Sequence, residues 1–344
     1  MKKSLLAVAV AAALPAAAFA QTNVTLYGIL DAGVGMNDPD GPGSKSSMVV
    51  NSGYQSTSRW GIRGAEDLGG GLRATFNIEA GLDVDTGTDD GGANYFQRRA
   101  VVGLAGGWGE VRLGRDYTPG FSAAGAGDVM GYGLLGTWLT YTAGAGGIQT
   151  RASNGIHYTG SFSGITVRAM YAEGEGTTSA TKDSNDAYGL SAVYAGGPMT
   201  LLGYYQVVND ATGNETEQMG VGGGWNFGGF RVLVNYGMAD VDGGPETTGL
   251  ALGVGLNLGA GELRAQAMQI ERDAVGGGTD PKATVFGIAY LHPLSKRTNL
   301  YATYGMARNN STGTFGVFAS DNAIAPSAAG ADPSGFAVGV RHVF

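Results

Sequence analysis

The chain ends in the stretch SGFAVGVRHVF (residues 334–344), in which apolar and small residues alternate up to a terminal aromatic side chain. Because successive side chains of a β-strand point to opposite faces, Phe336, Val338 and Val340 share one face, while Arg341 lies on the other. One face is therefore mostly apolar and the other mostly small or polar, which is typical of a lipid-facing barrel wall. An edge strand of a soluble sandwich has the same period, so this segment alone leaves both folds open.

The amino-terminal residues predict export. Residues 1–3 carry two lysines, residues 4–18 are apolar, and residues 18–20 form a small-residue cleavage site, which together indicate a signal peptide over 1–20. The mature protein, 21–344, is expected to be a single domain. Its apolar runs all fall short of the roughly 20 residues that a spanning helix needs, so an exported chain of this kind either is released or crosses the membrane as a barrel.

Composition narrows the functional classes. Without the two lysines of the signal peptide the chain has 19 basic against 29 acidic side chains, a formal charge of −10, which argues against nucleic acid as a partner. It contains 63 glycines and 10 prolines without a three-residue repeat, and this excludes a collagen-like chain. Its lack of cysteine excludes disulfides and thiolate chemistry, so stability must come from sheet closure and burial.

A period of two divides the mature chain into sixteen segments separated by alternately short and long connections. An even strand number with this rhythm predicts an all-β fold, a sixteen-stranded antiparallel transmembrane β-barrel with short periplasmic turns and long exterior loops. The segments are 24–35, 58–65, 72–82, 95–105, 110–116, 153–159, 165–173, 186–195, 199–209, 217–227, 230–240, 247–258, 262–272, 282–292, 298–308 and 334–344.

Five motifs resemble the general porins of Gram-negative bacteria, of the proteobacterial trimeric type. They are VTLYGILD (24–31), SRWGIRGAEDLGGGL (58–72), GEVRLGR (109–115), SKRT (295–298) and GVRHVF (339–344), and they span the mature chain in order. The resemblance implies a homotrimer of barrels, each with a water-filled pore. It also implies that the third exterior loop, here 117–150, folds inward and narrows the lumen. This loop contains a single acid, Asp128, where the family commonly carries more, so the field across the pore is expected to be weak.

The same resemblance maps a pore constriction onto five charged residues. They are Arg59, Glu79, Arg98, Asp128 and Arg151. Alternation also places Arg59 and Glu79 on the inward face, whereas Arg98 and its neighbour Arg99 should point in opposite directions, and the family pattern favours Arg98 for the lumen. A ring of arginines lowers the entry cost of anions and raises that of cations. The alternative is that these arginines only pair with Glu79 and Asp116.

Additional basic side chains are candidates for the lumen wall away from the narrowest point. They are Arg63, Arg112, Arg168, Arg264 and Arg341. A charged residue on the lipid face would cost about 2–4 kcal/mol at the bilayer midplane, which favours an inward orientation for such arginines. The terminal Phe344 is interpreted, from the family resemblance, as the signal that the outer-membrane assembly machinery reads.

Motifs for catalysis or cofactor binding are weak. The stretch GYGLLG (131–136) fits a dinucleotide pattern formally, but no βαβ unit surrounds it. The acidic run 83–90 departs from a calcium loop at the sixth and twelfth positions. His157, His292 and His342 lack metal-ligand spacing, and no nucleophile elbow occurs. We therefore expect no cofactor, no metal and no enzymatic activity.

Taken together, these patterns predict an outer-membrane porin that allows passive diffusion of small hydrophilic solutes and ions, with a mild anion preference. Its other expected partners are outer-membrane lipid and lipopolysaccharide. Two alternatives remain open: an adhesin or structural barrel whose exterior loops bind ligands, and a hydrolase at the barrel rim. Ion conductance distinguishes the porin from both.

Overall fold

A computed structural model of the protein describes residues 23–90, 94–174 and 184–344; the predicted signal peptide lies outside them. Nineteen strands are found in this part of the chain. They are β1 Asn23–Asp38, β2 Ser47–Ser52, β3 Arg59–Gly69, β4 Leu72–Gly81, β5 Arg99–Gly106, β6 Gly109–Tyr117, β7 Arg151–Phe162, β8 Ile165–Ala172, β9 Ala187–Gly196, β10 Met199–Asn209, β11 Glu215–Asn226, β12 Phe230–Val241, β13 Glu246–Leu258, β14 Gly261–Arg272, β15 Lys282–Pro293, β16 Thr298–Asn309, β17 Val317–Phe318, β18 Ala323–Ile324 and β19 Ser334–Val343.

The strands form a closed antiparallel barrel. Each wall strand pairs with its neighbours in chain order, and β19 pairs with β1 to close the ring. Both β2 and β3 pair with β1, β2 along 32–37 and β3 along 23–29, so together they fill one position of the wall. The barrel thus has sixteen strand positions, which confirms the prediction.

Alternation along the strands separates an apolar outer face from an inner face of small and polar side chains. In β13 the side chains of Leu250, Leu252, Val254 and Leu256 are exposed, whereas Ala251 between them is buried. Large apolar side chains on the outside are the reverse of a soluble protein and suit contact with lipid. This confirms the predicted assignment of the two faces.

Three local features differ from the sequence prediction. Strand β2 lies in a connection for which we predicted no strand. It forms because β1 extends beyond its predicted end at residue 35 and pairs with β2. Strand β5 begins at Arg99 rather than Tyr95, since Tyr95 and Phe96 pack edge-to-face with Trp60 instead of joining the ladder. The last long connection contains the short hairpin of β17 and β18.

The buried apolar core combines side chains of the wall strands with side chains of their connections. Two connections supply most of it: the 117–150 segment, through side chains such as Trp138 and Tyr141, and the 310–333 loop, through Val317 and Ile324. The first contains helix α1, Pro119–Ala124, capped by Thr118 Oγ1, then a 3₁₀ turn, Gly125–Gly127, and a π turn, Thr140–Gly144. No helix in the described ranges is both long and apolar enough to cross a membrane.

Polar side chains of wall strands form hydrogen bonds with the 117–150 segment. Gln206 accepts from Gly120 N at 2.8 Å, Asn235 donates to Ala124 O at 2.8 Å, and Gln266 donates to Gly136 O at 3.1 Å. In addition, Gly136 has a φ of +84°, and a Cβ there would lie 2.6 Å from the Cα of Gly287 on β15. A glycine is therefore required where this segment meets the wall.

Candidate functional site

The candidate site is a cavity of about 630 Å³ inside the barrel. It is bounded by the wall, by the 117–150 segment and by the 310–333 loop. Three of the five predicted constriction residues line it, and these are Arg59, Arg98 and Arg151. The fold thus brings together three guanidinium groups from separate parts of the wall.

Glu79 on β4 lies behind these arginines and neutralises part of their charge. Arg98 Nε is 2.8 Å from Glu79 Oε1 and Arg59 Nε is 3.9 Å from Oε2. Tyr27 OH also donates to Glu79 Oε2 at 2.9 Å. Both Arg98 and Glu79 are buried, at 5 % and 7 % exposure, so this is a desolvated, hydrogen-bonded ion pair.

Tyr117, at the end of β6, connects the arginines to the 117–150 segment. Its hydroxyl oxygen accepts from Arg98 Nη2 at 2.8 Å and from Arg151 Nη2 at 3.0 Å. The Arg151 guanidinium lies 4.5 Å from the centre of the Tyr117 ring, a cation–π geometry. The ring also stacks on Phe121, which in turn stacks on Tyr132. This series of contacts fixes both guanidinium groups at the cavity wall.

Asp128, which we predicted at the constriction, is not among the residues that line this cavity. Its carboxylate accepts from Thr137 Oγ1 at 2.6 Å and from the backbone N–H groups of Met130 and Tyr132 at 3.1 and 2.8 Å. Burial raises the pKa of this carboxyl group. Asp128 therefore acts as an internal brace of the 117–150 segment, which needs an acceptor for these donors.

The expected opposition between Arg98 and Arg99 is wrong. Arg98 contacts Glu79, and Arg99 Nε is 2.7 Å from Asp116 Oδ1 with its guanidinium 5.4 Å from the ring centre of Tyr117. Both side chains thus reach the same inner cluster. The alternation argument fails because β5 begins at Arg99, so that Arg98 precedes the regular strand.

The other basic candidates occupy different surroundings. Arg63 lies over the Tyr27 ring at 5.0 Å, Arg112 pairs with Asp116 at 2.9 Å, and Arg341 donates to Ser56 Oγ at 2.8 Å. Arg264 pairs with Glu262 on its own strand. Arg168 shares its face of β8 with the buried Met170 and Ala172. None of the five is among the residues that line the cavity of Arg59, Arg98 and Arg151.

The carboxyl-terminal residue completes the seam of the barrel. The backbone of Phe344 exchanges two hydrogen bonds with Gly28 of β1, with N···O distances of 3.1 and 3.0 Å. Its side chain is 41 % exposed on the outer surface. The terminal aromatic residue therefore lies beside the first strand, at the point of closure.

Tyr117, Asp90 and Asp321 are among the cavity residues that sequence reasoning did not single out. Water reaches Asp321, but the surrounding protein desolvates its carboxylate and raises its pKa to about 7. A signal for the inward position of its loop existed, because 315–324 is unusually apolar for a solvated connection. Nothing in the acidic run 83–90 distinguishes Asp90 from its neighbours.

Two sequence features considered for cofactor or metal binding, the stretch 131–136 and His157, contribute buried residues. The stretch 131–136 places Leu134 and Leu135 in the buried core. Within the described ranges no group of three or more acidic or histidine side chains has the geometry of a metal site. His157 is buried, with Nε2 3.2 Å from Gly114 O.

A closed barrel with an apolar exterior and a charged cavity inside defines a channel-forming protein of the outer membrane. Comparison with known proteins identifies the family: residues 7–312 match the model for Gram-negative porins. The chain belongs to this porin family.

Relatives and a solved structure agree with this assignment. Outer membrane porin protein 32 of Delftia acidovorans is 37 % identical over the full length of both chains. An outer membrane porin protein of Bordetella pertussis is 31 % identical, covering 90 % of this chain and 95 % of its own. The anion-selective porin from Comamonas acidovorans superposes with a TM-score of 0.81 at 30 % identity, covering 94 % of this chain and all of its own.

Proposed function

We propose that the protein is a passive diffusion channel for small hydrophilic solutes and ions, with a mild preference for anions. In this proposal the 117–150 segment folds into the lumen and narrows it, and the cavity beside it is the narrowest part of the path. The observation that carries the proposal is the convergence of Arg59, Arg98 and Arg151 on one water-accessible cavity.

The basic side chains support a positive potential at the part of the cavity wall that Arg59, Arg98 and Arg151 occupy. Glu79 is paired most closely with Arg98, at 2.8 Å, and more distantly with Arg59. Arg151 lines the cavity with its guanidinium 4.5 Å from the centre of the Tyr117 ring, and charged guanidinium N–H groups are strong donors to anions. A related porin that is described as anion-selective agrees with this direction.

The overall negative charge of the mature chain does not oppose this proposal. Several acidic side chains, such as Asp40, Asp210 and Asp273, are exposed on connections between strands, and salt screens charges over about 10 Å at 0.1 M. In contrast, Arg59 and Arg151 line the cavity itself. Local charges therefore determine which ions enter.

The proposal extends to targeting and assembly. We infer a signal peptide over 1–20, a mature single barrel domain over 21–344, and a homotrimer in the outer membrane, surrounded by lipid and lipopolysaccharide. Phe344, exposed at the seam, is the proposed recognition signal for the assembly machinery. Membership of the porin family supports the outer-membrane location and the homotrimer.

An adhesin or structural barrel and a rim hydrolase are less well supported. Neither role uses a water-accessible cavity lined by three arginines, and the relatives are porins. The proposed channel requires neither a cofactor nor an energy source.

A bilayer experiment tests the proposal. Purified protein is inserted into a planar bilayer, and single insertions are recorded before the reversal potential is measured across a KCl gradient. Conductance steps in groups of three with an anion-favouring potential are expected. A cation-favouring potential contradicts the arginine constriction, and folded barrels that do not conduct contradict the channel itself.

A further inference from the structure

Two aspartates share the cavity with the three arginines, and neither belongs to the 117–150 segment. Asp90 comes from the connection that follows β4, and Asp321 comes from the turn between β17 and β18. We infer that Asp90 and Asp321 are the acidic side of the constriction and limit how strongly the pore prefers anions. This inference rests on the proposed function and concerns the size of the preference rather than its existence.

The contacts of Asp321 hold its carboxylate at the cavity. Thr57 Oγ1 donates to Asp321 Oδ1 at 2.5 Å, and Asp321 N donates to Gly53 O at 3.0 Å. The next residue, Asn322, donates to Ser52 O at 2.6 Å. The turn is thus bound to the 52–57 connection between β2 and β3, so its position is defined by the wall.

The carboxylate of Asp321 packs directly against Gly53. The φ of this glycine is +70°, a conformation that favours glycine, and a Cβ added there would collide with the carboxylate of Asp321. The wall therefore lacks a side chain at the place where the acid lies. Asp321 contacts this part of the wall directly and remains exposed to the cavity.

Asp90 reaches the cavity from a different connection, the one that follows β4. An isolated bridge between Leu82 and Asp89 folds its connection back on itself, and Asp90 N donates to Gly81 O at 3.4 Å. The positive charges of Arg98 and Arg151 act on the Asp90 carboxylate, and that of Arg98 acts on Asp321. Both acids therefore lie within the electrostatic range of the arginine cluster.

The formal charges around the cavity explain why Asp90 and Asp321 should affect ion selectivity. Three arginines line the cavity, and Glu79 behind them offsets one positive charge. Asp90 and Asp321 offset the remaining two positive charges when both are ionised. A cavity close to neutrality responds strongly to the loss of a single carboxylate, whereas Asp128 has its oxygens occupied by donors of its own segment.

Charge-neutralising variants test the inference. Asp90→Asn and Asp321→Asn are compared with wild type at pH 8.5 by the reversal potential across a gradient of dilute KCl. A unit charge roughly 6 Å from the ion path, acting through water, predicts that the chloride-to-potassium permeability ratio rises between about threefold and about tenfold. The matched control is Asp242→Asn, which removes the same charge from an exposed loop position outside the cavity. It should match wild type.

A second variant tests position without changing charge. Gly53→Ala keeps every carboxylate but displaces that of Asp321, so it should shift the permeability ratio in the same direction as Asp321→Asn. An anion-preferring wild type with unchanged ratios in Asp90→Asn and Asp321→Asn overturns the inference alone. A wild type that prefers cations, or does not conduct, overturns the proposed function and the inference with it.

Discussion

The role of Arg151 leads to a quantitative prediction. Its guanidinium lines the cavity and is fixed by Tyr117, with an N···O distance of 3.0 Å. A chloride ion passing roughly 6 Å away gains about 0.7 kcal/mol from one positive charge at the dielectric constant of water, a factor of about three. A potassium ion loses the same amount. Arg151→Gln should therefore lower the chloride-to-potassium permeability ratio by up to about tenfold.

The assay is the reversal potential of single insertions in dilute KCl, repeated at high salt. Since the Debye length falls from about 10 Å at 0.1 M to about 3 Å at 1 M, the effect of Arg151→Gln should shrink as salt rises. Arg73→Gln is the matched control, because it removes the same charge from an exposed position outside the cavity. Equal shifts in the two variants would refute a local role for Arg151.

Three further predictions concern the cavity and the 117–150 segment beside it. Tyr117→Phe removes the shared acceptor of Arg98 and Arg151 but keeps the stacked ring, so open-channel current noise should rise without loss of the trimer. Asp128→Asn should weaken the hydrogen bonds that brace its segment, lowering stability by about 1–3 kcal/mol in thermal unfolding with selectivity unchanged; a large selectivity shift would contradict its placement. Because the pKa of Asp321 is raised to about 7, its charge is lost as the pH falls below that value, and the anion preference of wild type should increase from pH 8.5 to pH 5.5. Asp321→Asn should abolish most of this pH dependence.

The barrel wall could be predicted from the sequence because its determinants are local. In β13 the alternation of Leu250 and Leu252 with Gly249 and Ala251 marks two faces whatever surrounds the strand. Closure of the barrel by the terminal segment was also predictable, because the backbone of this alternating strand needs a hydrogen-bonded neighbour, which is β1.

The cavity could be predicted only in part, because it depends on contacts between distant segments. Arg98 and Arg99 converge because a strand begins one residue after Arg98, a detail that alternation does not reveal. Asp128 is engaged by its own segment, and Asp321 is brought in by a loop more than 200 residues away from Arg98 in sequence. Such pairings follow from the closed ring rather than from any local pattern.

The attachment of the 310–333 loop to the 52–57 connection has a consequence for the order of assembly. This loop lies between the last two wall strands in the chain, and its partner Gly53 lies between β2 and β3, which together fill the second wall position. The two ends meet only when β19 has joined β1. Closure of the wall and placement of Asp321 at the cavity are consequently one event. A barrel that is still open at its seam lacks this carboxylate at the cavity, and with it the proposed limit on anion preference.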